Sequence, residues 1–425
     1  MSPPSGHSLQ RLVPILLAQG FGVACGIAGV KLNSRLLPPE ILGFYGVFLT
    51  LVPLGMWVVH AGIVKFIGRQ WAGSSTRPRL LRDATRLWAR RLPWLALAAI
   101  PAAFALTRVG PTTTTMAWLA IFPAAALLVL GTLAQSALQA ERAHWRDCAV
   151  SVCGSASRTF APLLWFVWGG GTMTALWTGF GVHALLFAAV GAWALQRYWR
   201  SSPVRVAPTT LNTAYAGPLF VVLATASWIL AGLNRWLVAG FFGETEAGLF
   251  TLAGGAAVVL SATLGGVFLQ YFQPGFFALG DQIGRRTLLA KNVDRAAFGY
   301  AVVAVLTVGA FALTSPLLIG PLIDEQYRGA LPWIFPAGCF GVAMITTVFY
   351  QSLLLAGRRE SACGPVELTT GAALAIGCVA SATIDSTWFS RWLVITPLIP
   401  WLLTRPLARY YFFRPDAAPT PALVR

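Results

Sequence analysis

The chain has 425 residues, of which 56% are hydrophobic and only 11% charged, and its mean hydropathy is +0.68. A water-soluble protein carries roughly a quarter charged residues, so that class is excluded, and the long continuous apolar runs exclude a β-barrel, whose strands alternate over short segments. Lipid offers no partners to backbone polar groups outside helices and closed barrels, which leaves an all-α polytopic membrane protein.

Twelve apolar segments are expected, each near the roughly 20 residues needed to cross the hydrocarbon. Spans 1–6 are Leu12–Leu32, Ile41–Ile67, Leu92–Thr107, Thr115–Gln139, Ala149–Trp168 and Met173–Tyr198. Spans 7–12 are Ala214–Leu233, Ala247–Phe272, Ala296–Gly320, Leu331–Gly357, Cys363–Ile384 and Phe389–Phe413. Arg11 ahead of span 1 reads as the start of a retained helix rather than a cleaved signal. The connections are short, so one membrane domain is expected, with an N-terminal half at 1–205 and a C-terminal half at 206–425.

The formal charge of +17 comes from 31 Lys and Arg against 14 Asp and Glu. Twenty-four of these cations fall in one set of alternate connections and termini, six in the other set, and Arg158 inside span 5. The positive-inside rule then places both termini in the cytoplasm. This distribution accounts for the charge without nucleic acid as a partner, which would gather cations on one domain. The stretch Leu80–Trp94 in the richest loop reads as a basic amphipathic helix suited to anionic headgroups, or as topology control alone. The six Cys show no CxxC spacing, so neither a metal site nor a disulfide framework is indicated, and no cofactor is called for. Gly169-Gly170-Gly171 lacks the strand–loop–helix context of a phosphate loop and reads as a turn.

Echoes at similar offsets suggest a parallel repeat of two six-helix bundles. Gly43 and Gly248, in similar segments after spans 1 and 7, are 205 residues apart; Pro14 and Pro218 are 204 apart. Gln135–Arg142 and Gln351–Arg358 match at five of eight positions, at offset 216. A proline inside a helix removes a backbone hydrogen bond, so Pro14 and Pro218 are candidate hinges, with tolerated kinks as the alternative.

Leu36-Leu37-Pro38-Pro39-Glu40-Ile41-Leu42-Gly43-Phe44-Tyr45-Gly46 resembles a segment of polysaccharide-export proteins. Asn234–Gly243 followed by Gly248 and Phe250 is similar to their seventh-helix signature, Gln270–Pro274 to the end of their eighth helix, and Gln139–Asp147 to their break between helices 4 and 5. The family is the Wzx-like O-antigen and polysaccharide flippases of the multidrug/oligosaccharidyl-lipid/polysaccharide exporter superfamily. The resemblance implies two six-helix bundles around a central cavity. It further implies alternating-access movement of an undecaprenyl-diphosphate-linked oligosaccharide across the bacterial cytoplasmic (inner) membrane. The implied partners are that lipid-linked oligosaccharide, membrane lipids and polysaccharide-assembly proteins. Two departures stand out: position 234 is Asn where the family often has Asp, and span 1 is uncharged from Leu12 to Val30. No ion-coupling residue is therefore carried over.

A diphosphate calls for arginines in a wet cavity, since the guanidinium donates in a planar fork. Arg158 is the first candidate, because a charge facing lipid costs about 2.5–3.5 kcal/mol or more, and Gly154, Ser155 and Ser157 leave room beside it; a hydrogen bond to carbonyls is the alternative. Lys31, Arg35 and Arg235, with Asn234, gather at the outward ends of spans 1 and 7 as an exit-side phosphate site or as interfacial anchors. Glu367 is the acid inside span 11, either a coupling residue or a shallow acid snorkelling to water. His60 and His183 read as structural. Two other functions stay open: export of a cationic drug, which would want acids in the spans, and a membrane glycosyltransferase or polymerase, which would want carboxylates in larger outward loops. The reading chosen is a transporter and not an enzyme.

Overall fold

The computed structural model describes residues 7–60, 62–64, 67, 71, 77–107, 115–141, 143–200, 232–280, 282 and 284–414. Among these the structure is helical throughout, apart from turns and one isolated bridge between Ile319 and Ile323. The N-terminal helices are α1 (His7–Leu36), α2 (Pro39–Leu49), α3 (Leu51–His60), α4 (Arg77–Thr107), α5 (Thr115–Glu141), α6 (His144–Trp168) and α7 (Met173–Arg200). The C-terminal helices are α8 (232–242), α9 (Glu244–Gly280), α10 (Arg286–Thr314), α11 (Leu331–Ala356), α12 (Glu360–Ala382), α13 (Ser386–Ile395) and α14 (Arg405–Phe413). Among the described residues eight helices are long and apolar enough to cross a membrane; the remaining segments are shorter, more polar or interrupted. The chain is thus a multi-pass, all-helical protein. Most of span 7, Pro218 included, lies outside the described residues, as does the expected boundary at 205.

Three elements differ from the sequence reading, each for a local reason. Span 2 breaks at Thr50, where α2 ends and α3 begins. Pro53 has no N–H to offer the carbonyl one turn back, and the Thr50 hydroxyl and N–H both turn onto the Val47 carbonyl, at 2.6 and 3.1 Å. By contrast α1 runs through Pro14 without interruption. Span 12 breaks twice around Pro397 and Pro400, through a 3-10 turn (Thr396–Leu398) and a π turn (Pro400–Thr404). The basic stretch Leu80–Trp94 is the first part of α4 and continuous with span 3; Leu80, Leu81 and Ala84 are buried against protein rather than laid on headgroups.

Helices α5, α6 and α7 pack on one another, and α9, α10 and α11 do the same. The two sets meet where α9 lies along α2 and α1. One buried apolar cluster runs from the N-terminal helices across this contact to Phe250, Trp333 and Phe389; a second, around Phe276, Leu289, Leu353 and Phe412, stays within the C-terminal helices.

Each set also has an acid-centred knot at one end. In the first, Glu141 on α5 accepts from Arg77 of α4 and from Arg197 and Tyr198 of α7. In the second, Asp294 on α10 accepts from Tyr350 of α11 at 3.2 Å and from Arg405 and Arg409 of α14 at 3.1 and 3.0 Å. The π turn ahead of α14 sets the register that brings both arginines to one carboxylate. Asp294→Asn removes the charge from two charge-assisted bonds, each worth about 1.5–3 kcal/mol when buried and less where water screens it. A loss of about 1–3 kcal/mol is expected, seen as a lower melting temperature of the purified protein; a melt equal to wild type counts against the knot holding these helices together.

Candidate functional site

Between the two sets lies a cavity of about 720 Å³, walled by α1, α2, α3, α5, α6, α7, α8 and α9. Its shape follows from small residues on α1. Gly22, Gly26 and Gly29 recur at intervals of four and three and so share one helix face; a Cβ on Gly22 would touch Ser155 and one on Gly29 would touch Thr159, both on α6.

Arg158 stands in this wall, exposed to the cavity, with Gly154, Ser155 and Thr159 beside it. Arg235 enters from α8 and donates to the Gly46 carbonyl of α2 at 3.4 Å. Both arginines thus line the same cavity. Among the described lining residues there is no Asp or Glu. Polar groups that can bond a ligand hydroxyl or phosphate line the same space: Gln19, Asn33, Thr132, Gln135 and Tyr45.

His183, read from the sequence as a structural histidine, is buried and satisfied by α6, and it also lines the cavity. Its Nδ1 lies 2.8 Å from Ser157 Oγ, whose own proton is directed at the Cys153 carbonyl 2.7 Å away. The hydroxyl therefore accepts and Nδ1 carries the proton, an assignment made from the network; in the neutral ring Nε2 is then left as an acceptor. Phe180 and Phe187 flank the imidazole.

The other expected site residues are not gathered with these. Lys31 and Arg35 sit on the last turns of α1 and are not among the residues lining the cavity, whereas α8 extends to residue 242 and carries Arg235 within the helix, bonded to the Gly46 carbonyl. Asn234 is buried with its carboxamide oxygen turned onto the backbone N–H of Arg235 at 2.8 Å, and it does not line the cavity. Glu367 is fully buried on α12, a helix that contributes nothing to the described wall, so it is not a shallow acid reaching water.

A seam between the two sets runs past one end of the cavity. Gly43 of α2 and Gly248 of α9 face each other so closely that a Cβ on the first would overlap the Glu244 carbonyl, and one on the second the Pro39 carbonyl. Around them Trp236 donates to Thr50 at 2.8 Å, and Thr245 to Glu40 at 2.9 Å. From the 3-10 turn Glu325–Ala330, Tyr327 donates to the Leu37 carbonyl at 2.9 Å and Gln326 to the Ser34 carbonyl at 2.8 Å. In the other direction the wall continues as far as Gln19, Gln135 and Ser151.

No family model matches the chain, and no curated protein matches it by sequence. Solved structures do share its fold. An inward-facing multidrug resistance MATE family transporter of the MOP superfamily is similar with a TM-score of 0.55 and 13% identity, covering 95% of this chain and 97% of that one. The lipid II flippase MurJ in an inward closed conformation gives 0.61 at 10% identity, over 95% and 87%. A MOP superfamily transporter from Pyrococcus furiosus, described by the reverse polarity of its binding pocket, gives 0.57 at 11%, over 94% and 95%. At these identities the likeness is one of fold.

Proposed function

We propose that this chain is a Wzx-like flippase that carries a polyprenyl-diphosphate-linked oligosaccharide, with undecaprenyl as the lipid, from the cytoplasmic to the outer leaflet of a bacterial cytoplasmic membrane. The observation that carries the reading is the cavity's charge: two arginines and no carboxylate among its described lining. A diphosphate supplies the matching anion, His183 and the amide and hydroxyl groups suit sugar hydroxyls, and the lipid tail would stay in the bilayer. No covalent step is required. Arg158 and Arg235 are the proposed phosphate ligands.

The proposal extends to architecture: twelve spans in two six-helix bundles related by a parallel repeat, dividing near residue 205. Support comes from the knots at Glu141 and Asp294, which join spans 3, 4 and 6 in one half and 9, 10 and 12 in the other, the corresponding trio. In this reading the seam between α2 and α9 is the outward gate. Alternating access would part that seam and bring the inward ends together, biased by the bound diphosphate.

Export of a cationic drug is the second reading, favoured by the fold of the MATE transporters and opposed by the sign of the cavity. The polarity reported for the Pyrococcus furiosus protein indicates that this fold accommodates more than one pocket charge. A deletion strain distinguishes the two: loss of surface polysaccharide with unchanged drug sensitivity is expected. Intact polysaccharide with heightened sensitivity to cationic drugs would overturn the flippase reading.

A further inference from the structure

Helix α4 carries six arginines between Arg77 and Arg91, and its packing sorts them onto different faces. Leu81, Ala84, Trp88, Arg91 and Leu95 recur at intervals of three and four, which places them on one side of the helix. That side faces protein. Leu81, Ala84 and Leu95 are buried, the Trp88 indole donates to the Ala126 carbonyl at 3.1 Å, and Arg91 donates to the Val59 carbonyl at 3.1 Å.

The opposite side carries a second stripe. Arg86, Arg90, Trp94 and Leu97 follow one another at intervals of four, four and three. Arg86 keeps 74% of its side chain exposed, Trp94 is 67% and Leu97 64% exposed, and Arg90 is exposed between them. The neighbours Arg90 and Arg91 show the sorting: one is turned onto a carbonyl, the other away from the protein. Asp83 is the acid on this stripe, one turn before Arg86. Its carboxylate lies 3.8 Å from Arg86 and 3.8 Å from Arg79, which leaves the stripe with more guanidiniums than carboxylates.

Along the stripe the chemistry changes in one direction, from guanidinium through indole to alkyl side chain, over about 16 Å at 1.5 Å per residue. A phospholipid presents the same order: an anionic headgroup, an ester layer that favours tryptophan, then hydrocarbon. A solvated face would account for the arginines but not for the exposed indole and leucine that continue them. Arg86 and Arg90 are one turn apart, about 6 Å along the axis, so both reach a single phosphate, and the guanidinium suits that group.

We infer that this outer face of α4 binds an anionic phospholipid, its phosphate held by Arg86 and Arg90 and its upper acyl chain lying over Trp94 and Leu97. The inference is independent of the transport reading. It is tested on the full-length chain with the native cysteines replaced and a bimane attached through Leu97→Cys, in phosphatidylcholine nanodiscs. A small fraction of lipid with a nitroxide on the upper acyl chain is added, as phosphatidylglycerol or as phosphatidylcholine, and quenching is compared at equal mole fraction. Stronger quenching by phosphatidylglycerol is expected, with a preference of about five-fold for each arginine engaged. Arg86→Gln combined with Arg90→Gln should bring the two lipids to parity without lowering the melting temperature, since both side chains are exposed. Asp83→Asn removes the competing carboxylate and should raise the preference. Lys291→Gln combined with Arg295→Gln takes the same charge from exposed positions on α10 and should leave it unchanged. Equal quenching by the two lipids in the parent overturns the proposal. So does a preference that survives the α4 double substitution or falls as far with the α10 one.

Discussion

Arg158→Ala is expected to abolish transport while leaving the protein folded and at its normal level. The side chain faces an aqueous cavity rather than a packed core, so its removal leaves no void and no orphaned partner. A bond between guanidinium and phosphate is worth about 1.5–3 kcal/mol when partly desolvated, so its loss weakens cargo binding by roughly 10- to 150-fold. Arg158→Lys keeps the charge but loses the planar fork, and should fall between alanine and wild type. Arg235→Gln should act in the same direction, and the double variant should lose less than the sum if both arginines hold one diphosphate. The measurement is surface polysaccharide in a deletion strain complemented by each variant, with protein level followed by immunoblot. Normal polysaccharide in Arg158→Ala would remove that residue from the mechanism.

Gly248→Val is expected to stop the outward seam from closing. Its side chain would be built into the Pro39 carbonyl, and backbone cannot yield as a flexible side chain can. Overpacking of this kind costs about 1–3 kcal/mol, borne by the closed state alone, so the ratio of closed to open molecules should fall by about 5- to 150-fold. A cysteine placed at Thr251, itself buried beside Gly46, gives a readout in a background with the native cysteines replaced. Its labelling by an impermeant thiol reagent from the outward side should rise with Gly248→Val and stay low with Gly266→Val, a position where an added Cβ meets nothing. Equal labelling in the two variants would count against a glycine-dependent seam.

What the sequence made legible follows what depends on composition and local pattern. The helical, multi-pass nature rests on hydropathy, and the candidacy of Arg158 on the cost of a charge in a span; both needed no neighbours. The glycines at positions 43 and 248 were visible as an echo, but that they touch is a fact of assembly that no one-dimensional offset contains. Span 7 was ended at Leu233, whereas α8 runs on to residue 242 and carries Arg235 within it. The break in span 2 was missed because the chain has 27 prolines, and neither Pro14 nor Pro53 announces which of them interrupts its helix. At position 53 the interruption is accompanied by Thr50, whose hydroxyl serves the carbonyl of Val47 and accepts the Trp236 indole from the other side of the seam. Glu367 was judged by distance along its helix, which says nothing about what covers that face.

The knots at Glu141 and Asp294 limit what sort of machine this can be. Each fastens three helix ends to a single carboxylate, and so acts as a collar that prevents those helices from splaying individually. A structure collared in this way has few soft degrees of freedom, and the remaining one is the tilt of one collared block against the other. Opening should then proceed as one concerted event with one barrier, and any load applied to a single helix end is shared at once by its two companions.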